Sequence, residues 1–254
     1  MQIHELKCFG TRAGEGNTAL VIEGDRSDAA ARQAFARKQN KNACAFIDAG
    51  NVVDYFYPHA RSPLCLHATL AVAHVLLARD AGPVMLTTAM RGQSLRLTRE
   101  GDSYFAGLAR QPVDTPAMAA AQLARLLEAP GLVPVSAPLV ASVGSPKLLV
   151  EVADRAVLYA LAPDLQAIAD WGKQAGVNGL FVYCRVGEAE YEGRNFNHLD
   201  PAMEDSATGV AAGALTAQLG HAIVLHQGRA TGQQCLLRTR IDGQAIGVGG
   251  AVSR

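Results

Sequence analysis

The hydrophobic pattern of this chain changes period repeatedly, and each change marks an element. Short alternating or apolar runs, the mark of strands, occur in "IHELKCF", "NTALVIEG", "ACAFIDAG" and "VVDYFYP". They return in "VMLTTAM", "SLRLTRE" and "YFAGLA", and "SDAAARQAFARKQ" reads as a helix among them. One stretch fits neither period. From Leu64 to Ala78, "LCLHATLAVAHVLLA", nearly every residue is apolar or small. A helix that is apolar all round must be buried on every side. This predicts a central helix starting near His67, with an imidazole at its mouth.

The pattern then recurs. "PLVASVG", "KLLVEVA", a helical "APDLQAIADWGKQAG", "NGLFVYCRV" and "YEGRNFN" lead to "EDSATGVAAGALTAQL", a second apolar helix predicted from about Asp205. "CLLRTRI" and "AIGVGGAV" follow as strands. A shift of 139 residues sets His67-Ala68-Thr69 on Ser206-Ala207-Thr208, and a shift of 135 sets Lys38-Gln39 on Lys173-Gln174 and Phe46 on Phe181. Two matches in one order point to a duplicated unit. The expected fold class is α+β: two pseudo-repeated barrels, each a curved, mostly antiparallel sheet wrapped round a central apolar helix. Residues 1–112 form the first half, 113–134 a linker with one helix, and 135–254 the second half. Two such barrels would leave a ligand cleft between them.

Composition narrows the function. Formal net charge is zero and no Lys/Arg cluster stands out, which argues against nucleic acid or anionic lipid as a partner. The apolar runs fall short of the about 20 residues that span a bilayer. The start of the chain lacks a basic, then apolar, leader. Five scattered cysteines without a C-x-x-C fit reduced thiols, and a cytoplasmic location is expected. His221 and His226 have poor metal-ligand spacing, so no metal is assigned. "GVGGAV" lacks the following chain that a dinucleotide-binding unit needs.

The helix mouths carry the candidate chemistry. The first amides of a buried helix have no intrahelical partner, and with the helix dipole they form an anion site. A carboxylate ligand fits there, and His67 and Asp205 could move protons, a service worth about 10² to 10⁴ in rate. Plainer roles compete: Asp205 as a helix N-cap, His67 as a cap or core residue, and His74 as structural.

In this order the motifs resemble the PhzF-like family, relatives of the phenazine-biosynthesis isomerase that share the diaminopimelate-epimerase-like fold. The resemblance rests on "GEGNTALVI", "ACAFI", "DYFYPHARSPLCLHATLAVAHVL", "VGSPKLLVEV", "EDSATGVAAGAL" and "HQGRATG". It implies isomerisation of a small carboxylate-bearing metabolite by acid–base proton transfer, with no cofactor, in a homodimer. It makes Asp205 and His67 catalytic and places Asn17, Leu66, Thr208, Gly209 and Val210 around the substrate. Several family positions differ: the family's catalytic glutamate is Ala43 here, the glycine before the histidine is Leu66, and the serine after A-T-G is Val210. Likewise Ser206 stands for a proline and Arg61 for a glutamate. Cys44 or Cys65 could then supply the base, since a thiolate near helix amides is stabilised. Alternatively the chain binds a small carboxylate without turning it over, or serves as a structural partner.

Overall fold

The strands and helices follow the hydrophobic pattern closely. The structure, a computed structural model, describes residues 1–80, 82–196 and 204–254; Asn197, the last residue of the expected strand "YEGRNFN", lies outside them. The chain divides into two units, Met1–Leu108 with Gly247–Arg254, and Ala109–Ile246.

The first unit opens with β1 (Gln2–Phe9), β2 (Gly16–Glu23), α1 (Ala29–Gln39), β3 (Ala43–Asp48), β4 (Val52–Phe56) and the two-residue β5 (Arg61–Ser62). Then come α2 (Leu66–Leu77), β6 (Val84–Thr88), β7 (Ser94–Glu100) and β8 (Ser103–Ala109). In the second unit lie α3 (Ala120–Leu126), β9 (Leu139–Ala141), β10 (Lys147–Glu151), α4 (Arg155–Ala160), α5 (Leu165–Ala175), β11 (Leu180–Arg185), β12 (Glu190–Phe196) and β13 (Glu204–Asp205). α6 (Gly209–Leu219), β14 (Val224–Gln227) and β15 (Cys235–Asp242) complete it, and β16 (Ala245–Ser253) carries the chain back to the first unit.

In the first unit the strands run β1-β2-β3-β4-β6-β7-β8-β16, and β16 pairs again with β1, so eight strands close into a barrel. Inside lies α2, packed on β1, β2, β3, β6 and β7. Strand alternation sorts the side chains. Ala19, Val21, Ala43, Ala45 and Tyr55 share the face toward α2, where the Tyr55 hydroxyl meets Thr69 Oγ1 at 2.7 Å. On the opposite face Leu20, Ile22, Cys44, Phe46 and Phe56 pack with Phe35 and Ala36 of α1. Small residues on β2 and β3 let the sheet approach the helix.

The second unit has the row β9-β10-β11-β12-β14-β15, with β13 paired to β12. α6 packs on β9 and β10 at one end of that row and on β15 at the other, so the sheet curves around it. The outer face, with Leu148, Val150, Leu180, Val182 and Phe196, packs against α3, α4 and α5 through Leu126, Leu158, Ile168 and Trp171. The segment expected as a linker thus belongs to this unit, because Leu123 and Leu126 of α3 are core residues.

The two units repeat one topology. β2–β3 and β10–β11 are parallel, β3–β4 and β11–β12 antiparallel, and β4–β6 and β12–β14 parallel. The register corrects both shifts inferred from the sequence. Ser62 on β5 corresponds to Asp205 on β13, and Cys65 before α2 to Thr208 before α6, a shift of 143. The difference from 139 is about one helical turn, a slip that keeps the same face and goes unnoticed among small residues. Phe46 likewise faces α1 while Phe181 faces α6, so Ala45 is the true counterpart of Phe181.

β16 reaches β8 only because Gly249 has no side chain: a Cβ there would lie 2.4 Å from both the Phe105 ring and the Tyr104 carbonyl oxygen. Gly249→Ala is expected to cost about 1–3 kcal/mol through overpacking, read as a lower urea midpoint with an unchanged slope.

Candidate functional site

α2 begins where the sequence placed it, but α6 starts four residues after Asp205. Asp205 lies in β13, opposite Asn195 of β12, and Thr208 takes the N-cap position without a side-chain cap bond. The hydroxyl of Thr208 instead donates to Asp205 Oδ2 at 2.6 Å, and the Ala207 amide lies 3.4 Å from Oδ1. Asp205 therefore receives hydrogen bonds from the mouth of the helix and is not its cap.

Gln227 of β14 holds this arrangement in place. Its Oε1 accepts from the Thr208 amide at 3.0 Å, and its Nε2 donates to the Asp205 carbonyl at 2.7 Å and to Thr208 Oγ1 at 3.1 Å. From the other side, Arg194 forks onto the Glu204 carboxylate and also donates to the carbonyls of Leu158 and Leu161 at the end of α4. β13 is thereby pinned on both faces. The amides of Gly209 and Val210 begin the helix and have no carbonyl within it to bond; a carboxylate of a ligand is a fitting acceptor. Ser206 is engaged elsewhere, with Thr231 Oγ1 at 2.7 Å.

In the first unit, Cys65 precedes α2 and Leu66, His67 and Ala68 form its first turn. His67 is buried, with the Cys65 sulfur 3.5 Å from Nδ1 and 3.7 Å from Nε2, and its carbonyl accepts from Cys8 Sγ at 3.1 Å. Asn17 is buried on the α2-facing side of β2, opposite Cys8. Ala43 stands on that same face, at the start of β3, and offers only a methyl group. Cys44 points the other way, into the α1 cluster, and burial pushes its thiol up to about 11. It brings no thiolate toward the helix mouth. Arg61, which stands for a family glutamate, is turned to Asp54 in a two-pronged ion pair and toward the Phe56 ring. His74 lies against Tyr104 with the two rings tilted at 57°, and burial lowers its basicity.

One residue escaped the sequence reading. Lys147 opens β10 and is fully buried, with Nζ donating to the Asn178 carbonyl at 2.5 Å. Burial lowers its pKa to about 7, against a smaller opposing pull from Asp205. The signal was present in the sequence: in "KLLVE" strand alternation puts Lys147 on the side of Leu149, and Leu149 aligns with Phe181, Asn195 and Asp205.

Two units of one topology, each wrapping an apolar helix with an ionisable group at its mouth, define the epimerase-like class of folds. A predicted epimerase of known structure from Pseudomonas aeruginosa superposes with a TM-score of 0.80 at 26% identity, over 99% of this chain and 95% of that one. A PhzF-family protein of Bacillus anthracis, 19% identical, shares the fold with a TM-score of 0.82 over 99% and 97% of the two chains. Residues 6–251 match the family described as PhzC-PhzF, phenazine biosynthesis-like protein, and the chain belongs to that family. Relatives include the "Uncharacterized isomerase YddE" of Escherichia coli K12, 29% identical over 94% of this chain and 90% of that protein. The trans-2,3-dihydro-3-hydroxyanthranilate isomerase of Pseudomonas chlororaphis is 28% identical over 94% and 90%.

Two outcomes are expected. Gln227→Leu leaves the Thr208 amide and the Asp205 carbonyl without their partner and should cost about 1–3 kcal/mol, measured by urea unfolding. For Lys147 the folded pKa of about 7 lies below the ordinary 10.5. Between those values the unfolded chain binds more protons, so stability rises with pH across that window, by at most about 1.4 kcal/mol per pH unit. Unfolding midpoints from pH 7 to about 8.5, below the range where Cys8, Cys44 and Cys184 ionise in the unfolded chain, should show this rise in the wild type, and Lys147→Met should flatten it.

Proposed function

We propose that this protein is an isomerase that acts on a small carboxylate-bearing metabolite by cofactor-independent proton transfer. The observation that carries the reading is Asp205: an aspartate fixed by Thr208, Ala207 and Gln227 beside the first amides of α6. The helix start binds the ligand's carboxylate, and Asp205 exchanges a proton with an adjacent carbon. Relatives named as isomerases over most of their length support the reaction class. The name of one of them gives its substrate as a dihydro-hydroxyanthranilate, an amino-carboxylate.

A second reading has its own observation. Ala43 presents only a methyl group to the α2 side of its barrel, where the family resemblance expects a carboxylate. A protein so altered would bind small carboxylates without converting them.

One experiment separates the two. The protein is incubated in D₂O with a panel of amino, hydroxy and dihydro-aromatic acids, and deuterium at carbon is followed by mass spectrometry. Incorporation that falls by about 10²-fold or more in Asp205→Asn, the scale of a lost general acid or base, is the expected result. Compounds that raise the unfolding temperature yet never exchange would establish the binding-only reading.

A further inference from the structure

The second unit holds a buried cation and a buried amide that the reading above leaves unused. Lys147 has no exposed surface, and among the described residues its hydrogen-bond acceptor is the Asn178 carbonyl. An ammonium has three donors and no acceptor, so two protons remain for other groups. Asn195 is as deeply buried, and neither Oδ1 nor Nδ2 has a partner among the described residues. A buried amide in that state is one that a bound molecule would satisfy.

The sheet register brings these groups together. Leu149, Phe181, Asn195 and Asp205 are successive neighbours across β10, β11, β12 and β13, and so share a face. Lys147 lies two residues before Leu149, on the same face. Beside it stands Gly179, whose carbonyl accepts from the Leu148 amide, and Gly179 has no side chain to block the lysine stem. Asp205 is the charged group that acts on Lys147. The other titratable groups of this face, Glu151, Tyr183, Arg185 and Tyr191, lie further along the strands, Cys235 follows beyond Gln227 on β15, and Tyr183 is itself under the influence of Glu151 and Tyr191. Glu192, Arg194 and Glu204 belong to the opposite face, where they meet Arg155, Tyr159 and one another. α6 and β9 contribute no titratable side chain.

We propose that Lys147 and Asp205 form the acid–base pair of a single proton-transfer site within the second unit, with the Asn195 amide binding the substrate's carboxylate or carbonyl oxygen. The proposal rests on the isomerase reading and deepens it: both reacting groups come from one unit. The substrate class is a small acid with a C–H next to a double bond. Asp205 takes that proton, and the C–H electron pair shifts to form a new double bond as the old one opens. The far carbon takes a proton from the Lys147 ammonium, leaving a neutral amine. The proton on Asp205 then passes to Lys147. One C–H bond breaks, one forms, and nothing is oxidised or reduced. A buried amine that titrates near neutrality suits the donor's role.

The test uses any acid that the D₂O panel identifies, and follows product formation and exchange of the substrate's own C–H separately. Asp205→Asn should abolish both. Lys147→Met should lower product formation by about 10²-fold or more, while substrate exchange and thermal stabilisation by the acid persist. Product formation within threefold of wild type in Lys147→Met overturns the proposal and leaves the isomerase reading intact. So does loss of both ligand stabilisation and exchange in a folded Lys147→Met, since that marks a structural lysine. Absence of exchange in the wild type overturns both. Should Lys147→Met not fold, the wild-type profile decides: product formation should fall as pH rises through about 7, and a flat profile from pH 6 to 9 overturns the proposal.

Discussion

A helix with no polar face has to be enclosed, and most of this fold follows from enclosing two of them. α2 and α6 are built from alanine, glycine, leucine and valine with hardly a charge between them. Burial on all sides requires strands around the whole circumference, which the first unit provides with eight strands in a closed ring and the second with a sheet that meets α6 at both ends. Enclosure satisfies the flanks of the helix but not its first amides. The helix mouths are therefore places that polar groups must serve. There the chain has placed Cys65 and His67 in one unit, and Asp205, Thr208 and Gln227 in the other.

The two mouths differ in how firmly they are built. At α6, Thr208, Gln227 and Asp205 form a closed set of hydrogen bonds, with Arg194 and Glu204 bracing the strand from behind. At α2, the contact between Cys65 and His67 is a long sulfur–nitrogen one, and Thr69 folds its hydroxyl back onto the Cys65 carbonyl. A group that must deliver a proton within a few tenths of an ångström gains from the rigid setting. The second unit meets that requirement better.

The duplicated order of elements, the two apolar helices and both helix-mouth residues were legible in the sequence, because burial on all sides leaves an unmistakable composition. Register was not. Strings of small residues look alike after a slip of one turn, and only strand pairing reveals that Leu66 corresponds to Gly209. The start of α6 was misplaced for a related reason: an acid before an apolar run looks like a cap, whereas Asp205 is drawn into pairing with Asn195. Cys44 was attractive as a thiol beside Ala43, yet neighbours in a strand face opposite ways, and its sulfur belongs to the α1 cluster. Lys147 was overlooked because a lysine at the head of a strand ordinarily reaches water. α4 and β14, short and without strong periodicity, also went unread.

The last strand has a bearing on how the molecule is made. β16 supplies the eighth stave of the first barrel, between β1 and β8, but it comes after the whole second unit in the chain. On the ribosome, residues 1–108 therefore emerge with β1 and β8 as open edges. Unpaired edges of that kind are templates for wrong partners. They stay so until all of the second unit has been translated. The second unit, by contrast, has all its own strands once residue 246 has emerged. The N-terminal half, first to be synthesised, is the last to be sealed.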